Sequence, residues 1–280
     1  MRGISHLQCA GCKDAPEHHP GDADNTFYCS STCQKEHRAS HKTHCKALLQ
    51  RKKLLRAAVV LKAAFLGYRE TVYDVDLVSI ELRDGTLHLH QRTRSAHREA
   101  ALAHNQCTAA MALLDRVTRK LLTDVPATLE ILDLYFGKPS MPTRLTPSPD
   151  WANCPHTVIK VGLLFGQGTW VLDTAGCQYG FRSVLVPYAE YIADNDFRIV
   201  NEPTTYSATE TKDIDYFLTL PFMTKFKAQR ISLDAERRSR LHFASFVDSY
   251  VEKDILDRSP AEFRDKLEAF KATLRLHMSK

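Results

Sequence analysis

Between Phe27 and Cys45 the chain runs FYCSSTCQKEHRASHKTHC, placing three cysteines and three histidines in nineteen positions. Thiolate and imidazole are ligands that zinc takes, four at a time in a tetrahedron. A second short-spaced pair, Cys9 and Cys12, lies upstream. Cys9-x2-Cys12 and Cys29-x3-Cys33 each let two sulfurs converge from one tight turn or one helical turn. The spacing therefore predicts a four-cysteine zinc site made of the two pairs. His37, His41 and Cys45 follow Cys33 at intervals of four, which lines them along one face of a helix.

A second constellation is spread over the rest of the chain. Cys107 stands in HNQCTAAMALLDRV, at the expected start of an amphipathic helix, where free N–H groups favour a thiolate. His156 opens the strand-like HTVIKV, and Asp173 closes TWVLD. The chain order Cys, His, Asp suits a thiol nucleophile whose proton is taken by the histidine while the aspartate orients the ring. The same residues also have a plain structural reading. A cysteine on an alanine-rich helix packs as a small apolar group, His156 starts a strand after Pro155, and Asp173 caps the turn DTAG. Cys154, in a loop beside Pro155, and Cys177, after Gly176, are poorer nucleophiles. Tyr179, Phe181, Tyr188 and Tyr191 concentrate in CQYGFRSVLVPYAEYI and are expected to pack together.

These residues need elements to hold them. Residues 1–8 form a short tail, and residues 9–45 are too small for a useful apolar core without a metal. From Lys46, KALLQRKKLLRAAVVLKAAFLGY has no proline or glycine before Gly67, and its leucines and alanines recur at helical spacing. The pattern predicts a linker helix from about 46 to 66, within a segment 46–67 leading into an α+β domain over 68–280. Its basic start is expected to form a solvated face. TVYDVDLVSIELRDGTLHLHQR alternates at period two around Asp84-Gly85 and predicts a hairpin. SAHREAALAHNQCTAAMALLDRVTRKLL predicts helix broken near His104-Asn105, and the four prolines of SMPTRLTPSPDWANCP predict a loop. HTVIKVGLLFGQGTWVLDTAG predicts two strands joined at GQG. The chain is helical again from about Leu233, with Ser259-Pro260 starting the last helix.

The formal net charge of +5 is too slight and too dispersed for a dedicated nucleic-acid binder. No apolar run approaches membrane-spanning length, and MRGISHLQCAGC lacks the apolar stretch of a signal peptide. An intracellular protein, cytoplasmic or nuclear, is the expectation, with reduced thiols better read as metal ligands than as disulfides.

YCSSTCQKEHRASHKTHC, residues 28–45, resembles the second half of a MYND-type zinc finger. The resemblance covers residues 9–45 and implies a small cross-braced fold. Cys9, Cys12, Cys29 and Cys33 would hold a first zinc, and His41 and Cys45 would contribute to a second. The second site's usual Cys-x2-Cys pair is missing from KDAPEHHPGDADNTF. Either His18, His19, Asp22, Asp24 or His37 substitutes, or the second site is lost and His41 and Cys45 merely pack against each other. The family is chiefly a protein-interaction module, so scaffolding of another protein through the finger is the leading functional reading. Arg38 stands where peptide-binding members often carry tryptophan, which removes an apolar groove wall, and Gln34 is retained. An intramolecular folding element with no partner of its own is the other reading of the finger. The Asn-His-Ser-Cys run of SET-domain methyltransferases is absent.

The alternative, from a different class, is a thiol-dependent enzyme. The pattern around His156 and Asp173 resembles the His and Asp strands of transglutaminase-like and arylamine-acetyltransferase-like papain-fold proteins. That resemblance implies amide or acyl transfer through Cys107, His156 and Asp173, although Thr108 replaces the aromatic residue usual after the cysteine.

Overall fold

The computed structural model describes residues 7–72, 79–90, 97–135, 141, 143–146, 155–164 and 168–280. Helices and antiparallel sheet combine in an α+β fold. The two-residue strands β1 (Leu7–Gln8) and β2 (Phe27–Tyr28) pair antiparallel and frame the N-terminal module.

The helix expected over 46–66 is the middle of a much longer one. α1 runs from Ser31 to Val72, 42 residues or about 63 Å. Nothing between Ser31 and Leu66 breaks it, since that stretch contains neither proline nor glycine. Its beginning carries His41 and Cys45. Its remainder runs through the main core, where Leu54, Ala57, Leu61, Ala64, Phe65 and Tyr68 are buried. The basic face expected to be solvated is instead largely covered. Arg51 pairs with Asp22 at 2.8 Å, Lys52 donates to the Ala10 carbonyl at 2.5 Å, and Arg56 donates to the carbonyls of Leu256 and Arg258. These long side chains bury their stems, and Lys52 and Arg56 satisfy backbone carbonyls in turns far from them in sequence, which charge counting alone does not reveal.

The expected hairpin is β3 (Ser79–Arg83) and β4 (Thr86–His90), joined by Asp84 and Gly85, both in the left-handed region. The helical stretch that follows is broken as expected. α2 (Arg98–Ala103) ends before Asn105, whose φ is 55°, and α3 (Cys107–Leu113) and α4 (Asp115–Leu122) continue.

β5 (Ala127–Tyr135) precedes β6 (Thr143–Thr146), which lies parallel to β4 inside the segment expected to be a loop. Pro142 and Pro147 flank that strand rather than interrupt it. β7 (His156–Leu163) and β8 (Thr169–Leu172) are the two expected antiparallel strands, with the GQG turn partly outside the described residues. After β9 (Leu185–Pro187), α5 (Tyr188–Asp194), β10 (Arg198–Ile199) and β11 (Thr204–Thr205), the main sheet is complete. Its order is β10-β5-β7-β8-β9, with β11 also on β5. α6 (Lys212–Phe217) and α7 (Pro221–Thr224) follow, and α8 (Lys227–Tyr250) and α9 (Pro260–Met278) close the core. At the start of α9, Ser259 and Glu262 form a reciprocal capping box. No helix among the described residues is long and apolar enough to cross a membrane.

Candidate functional site

Two clusters bring chemistry-bearing side chains together. In the first, the ligand atoms of Cys9, Cys12, His41 and Cys45 all lie within 4.8 Å of one another. Cys9 Sγ is 3.5 Å from Cys45 Sγ, and His41 Nε2 lies 3.1 Å from Cys12 Sγ and 3.4 Å from Cys9 Sγ. A tetrahedron with metal–sulfur bonds of about 2.3 Å has edges of about 3.7 Å, so the set could hold a metal ion. The 9–12 turn is tied by amide bonds from Cys12 and Lys13 to the Cys9 carbonyl. Gly11 is required there, because a Cβ on it would lie 2.4 Å from Cys45 Sγ. Burial, followed by the hydrogen bond to and the charge of Cys9 and then Cys45, pushes the Cys12 thiol up to about 12. Three thiolates in this space need a cation to balance them.

This grouping differs from the four-cysteine site expected from the spacing. Cys29 is exposed, Cys33 is half-buried, and neither belongs to the converging set. Helix geometry gives the reason. Cys33 shares a face with His41 but lies eight residues, or about 12 Å, further up the axis. One Cys-x2-Cys turn serves only one end of that span, and here it serves His41 and Cys45. None of the residues considered as substitutes joins the converging set, and three of them are engaged elsewhere. His18 Nε2 is 3.2 Å from the Thr169 carbonyl, Asp22 accepts from Arg51, and His37 Nδ1 is 3.5 Å from the Tyr28 hydroxyl.

The N-terminal module is docked on the sheet. His18 packs edge-on to the buried Trp170 of β8, and Arg51 lies over the same ring. β8 ends one residue before Asp173, so the module braces the strand that presents the second cluster.

There, Cys107 is the first residue of α3, which packs on β7, and His156 is the first residue of β7. Of the expected constellation, His156 and Asp173 pair directly, and Cys107 lies beside them. His156 Nε2 donates to Asp173 Oδ2 at 2.9 Å, and the Cys107 thiol, which donates to the Pro155 carbonyl at 3.7 Å, lies within electrostatic reach of the same imidazole. Asp173 accepts further bonds from the Tyr191 hydroxyl at 2.7 Å and the Ala175 amide at 3.1 Å. His156 is fully buried, with the Tyr179 ring edge-on to it. Gly176 leaves room for the carboxylate, since a Cβ there would lie 2.3 Å from Asp173 Oδ2.

The electrostatics follow from burial set against pairing. Burial opposes the imidazolium, but the Asp173 charge and hydrogen bond outweigh it and raise His156 to about 10. Burial opposes the Asp173 carboxylate too, yet the charge and hydrogen bonds of His156 and the bond from Tyr191 hold it below the usual carboxylate range. Burial would raise Cys107, but its hydrogen bond to His156 and the imidazolium charge bring the thiol below its ordinary value. Cys177 shows the contrast: burial dominates and pushes it up to about 12. Cys154 lies outside the described residues.

Tyr191 was legible in the sequence only as one aromatic among several. Gln178 carried no signal at all. It is buried in the turn after Asp173, and its side-chain carbonyl accepts the Asn105 amide at 2.8 Å. Asn105 holds a left-handed conformation two residues before Cys107, so this bond fixes the turn that aims the thiol. Gln178→Met keeps the bulk and removes the acceptor. The expected result is an alkylation rate at Cys107 about fivefold lower near neutral pH, with the thiol's apparent pKa raised. An unchanged rate-against-pH profile would show that the turn holds without the bond.

No family model matches the chain, and no curated protein or solved structure matches it either.

Proposed function

We propose that the chain is a thiol-dependent acyl-transfer or amide-hydrolysing enzyme whose N-terminal module is stapled by zinc. One observation carries this reading: a buried His156–Asp173 pair, 2.9 Å apart, with the Cys107 thiol close enough to feel the charge of the same imidazole. A buried ion pair is costly as a purely structural device, and a thiol lowered beside an imidazolium is poised for attack. In the proposed reaction the Cys107 thiolate adds to a carbonyl carbon of the substrate. The imidazolium gives its proton to the departing amine or alcohol, leaving an acyl-thioester on Cys107. Water, or an acceptor amine that loses a proton to His156, then takes the acyl group and restores the thiol. Asp173 keeps the ring oriented and stabilises its charge throughout, and Tyr191 and the Ala175 amide hold Asp173.

Zinc is the metal that three thiolates and one imidazole suit best. Its role in this reading is structural, because four protein ligands leave no open position. The docking of the module on β8 supports the intramolecular reading of the finger over a free-standing protein-binding one.

Alkylation tests the proposal. Iodoacetamide at about pH 6.5, followed by peptide mapping, is expected to modify Cys107 at least tenfold faster than Cys177, and His156→Ala is expected to abolish the difference. Equal, slow labelling of both thiols would leave the cluster as packing and end the enzymatic reading.

A further inference from the structure

A groove of about 470 Å³ opens between α1, α2 and α9, away from both clusters. Its floor is aliphatic. Val59, Ala63 and Leu66 stand at helical spacing along one face of α1 and remain half-buried, and Leu102, Val184 and Leu267 complete the surface. No aromatic ring lines it among the described residues, which offer no stacking platform for a nucleobase.

Its rim is charged and unbalanced. Among the described residues, Lys62, Arg98, Arg182, Lys271 and Arg275 line the groove against two carboxylates, Glu70 and Glu99. Glu99 is taken by Lys62 at 2.8 Å, and Glu70 is shared between Arg98 at 2.7 Å and Arg275 at 3.2 Å. Lys271 turns to Glu268, which does not line the groove. Arg182 is exposed and makes no ion pair among the described residues. The groove thus holds positive charge that its own acids leave uncompensated, above a floor that water covers poorly.

We propose that this groove binds a free single-chain carboxylate amphiphile, a fatty-acid-like ligand, with its alkyl chain on the α1 stripe and its head at the cationic rim. The volume suits one small molecule rather than a helix. Guanidinium groups recognise carboxylates in a two-pronged fashion, which makes Arg182 the residue on which the head depends most. The groove also backs onto the second cluster's supports. α2 leads into the Asn105–Cys107 turn, and the Val184 carbonyl accepts the Asp173 amide at 2.9 Å.

Titration calorimetry on the full, metal-loaded chain tests this with dodecanoate, with dodecyltrimethylammonium as the charge-reversed control. Saturable one-to-one binding of dodecanoate alone is expected. Arg182→Glu, which removes no ion pair among the described residues, is expected to weaken it at least tenfold, or roughly the loss of one charge-assisted contact. Leu66→Gln probes the floor separately and is expected to weaken it as well, with melting curves confirming that both variants fold. Absence of saturable binding, equal binding of the cationic amphiphile, or insensitivity to both variants would overturn the proposal. Binding of phosphatidylserine vesicles without binding of dodecanoate would overturn it in favour of a membrane surface.

Discussion

Cys12→Ser is expected to release the metal and unfold the N-terminal module, whereas Cys29→Ser is expected to do neither. The module's own apolar cluster consists of Cys9, Cys12, Ala23, Tyr28 and Leu48, and its sheet is two residues long on each strand. So small a core cannot offset the chain entropy of ordering it. A structural zinc supplies about 10–16 kcal/mol of apparent binding energy, which in such a module is folding energy. Removing one of four ligands should therefore forfeit most of the module's stability. Cys29 is exposed and outside the converging set, so its substitution should cost within about 0.5 kcal/mol. Zinc release on titration with a chromophoric chelator, and hydrogen exchange over residues 7–30, separate the two variants. Metal loss from Cys29→Ser equal to that from Cys12→Ser would restore the four-cysteine site that the spacing suggests. The part of α1 from about Leu54 onward, packed in the main core, is expected to stay protected in both. Loss of protection in β8 along with the module would follow from the contacts of His18 and Arg51 with Trp170.

Much of this arrangement was legible from residue types because local rules decided it. Period-two alternation around Asp84-Gly85 specified a hairpin, and Asn105 broke the helix where a residue tolerant of left-handed backbone was available. Cys107, His156 and Asp173 each sit at the end of an element or just beyond it, so the β7–β8 pairing sets His156 against Asp173 and the packing of α3 on β7 brings Cys107 alongside. The metal centre shows the limit. Ligand identities were visible, but which pair joins which depends on the three-dimensional span between Cys33 and His41. That span is fixed only once α1 is known to be unbroken through both. β5 was missed because the alternation of ATLEILDLY shifts phase at Ile131-Leu132, and its place inside the sheet follows from pairing with β7 rather than from its own composition. The buried cations of α1 escaped for a similar reason: their partners are backbone carbonyls as far away as Leu256 and Arg258.

Asp173→Asn is expected to reshape the pH dependence of stability as well as to lower it. The wild-type pair contributes through two opposite shifts. His156 in the folded chain keeps its proton up to about 10, against an ordinary 6.5, so between those values the folded state binds the extra proton. Its contribution is complete below about 6.5 and is lost as pH rises toward 10. Asp173 is held below its ordinary 3.8, so between its folded value and 3.8 the unfolded state binds the extra proton. Its contribution is complete above that range and is lost as pH falls through the folded value. The pair's stabilisation should therefore plateau from about pH 4 to 6.5 and decline on both sides. Replacing the carboxylate by an amide leaves a buried imidazole with no charge to face, and burial then favours its neutral form. Removing one partner of such a buried pair costs about 3–5 kcal/mol. The decline between pH 6.5 and 10 should flatten in Asp173→Asn, because His156 no longer carries its proton through that window. Urea unfolding of both proteins at a series of pH values measures this as a difference of slopes. The thiol reports the same change independently. With no imidazolium beside it, Cys107 should regain a high pKa and lose its alkylation advantage over Cys177 at neutral pH. Parallel stability curves with unaltered thiol reactivity would mean that His156 is neutral in the folded chain, and that Asp173 serves it only as a hydrogen-bond acceptor.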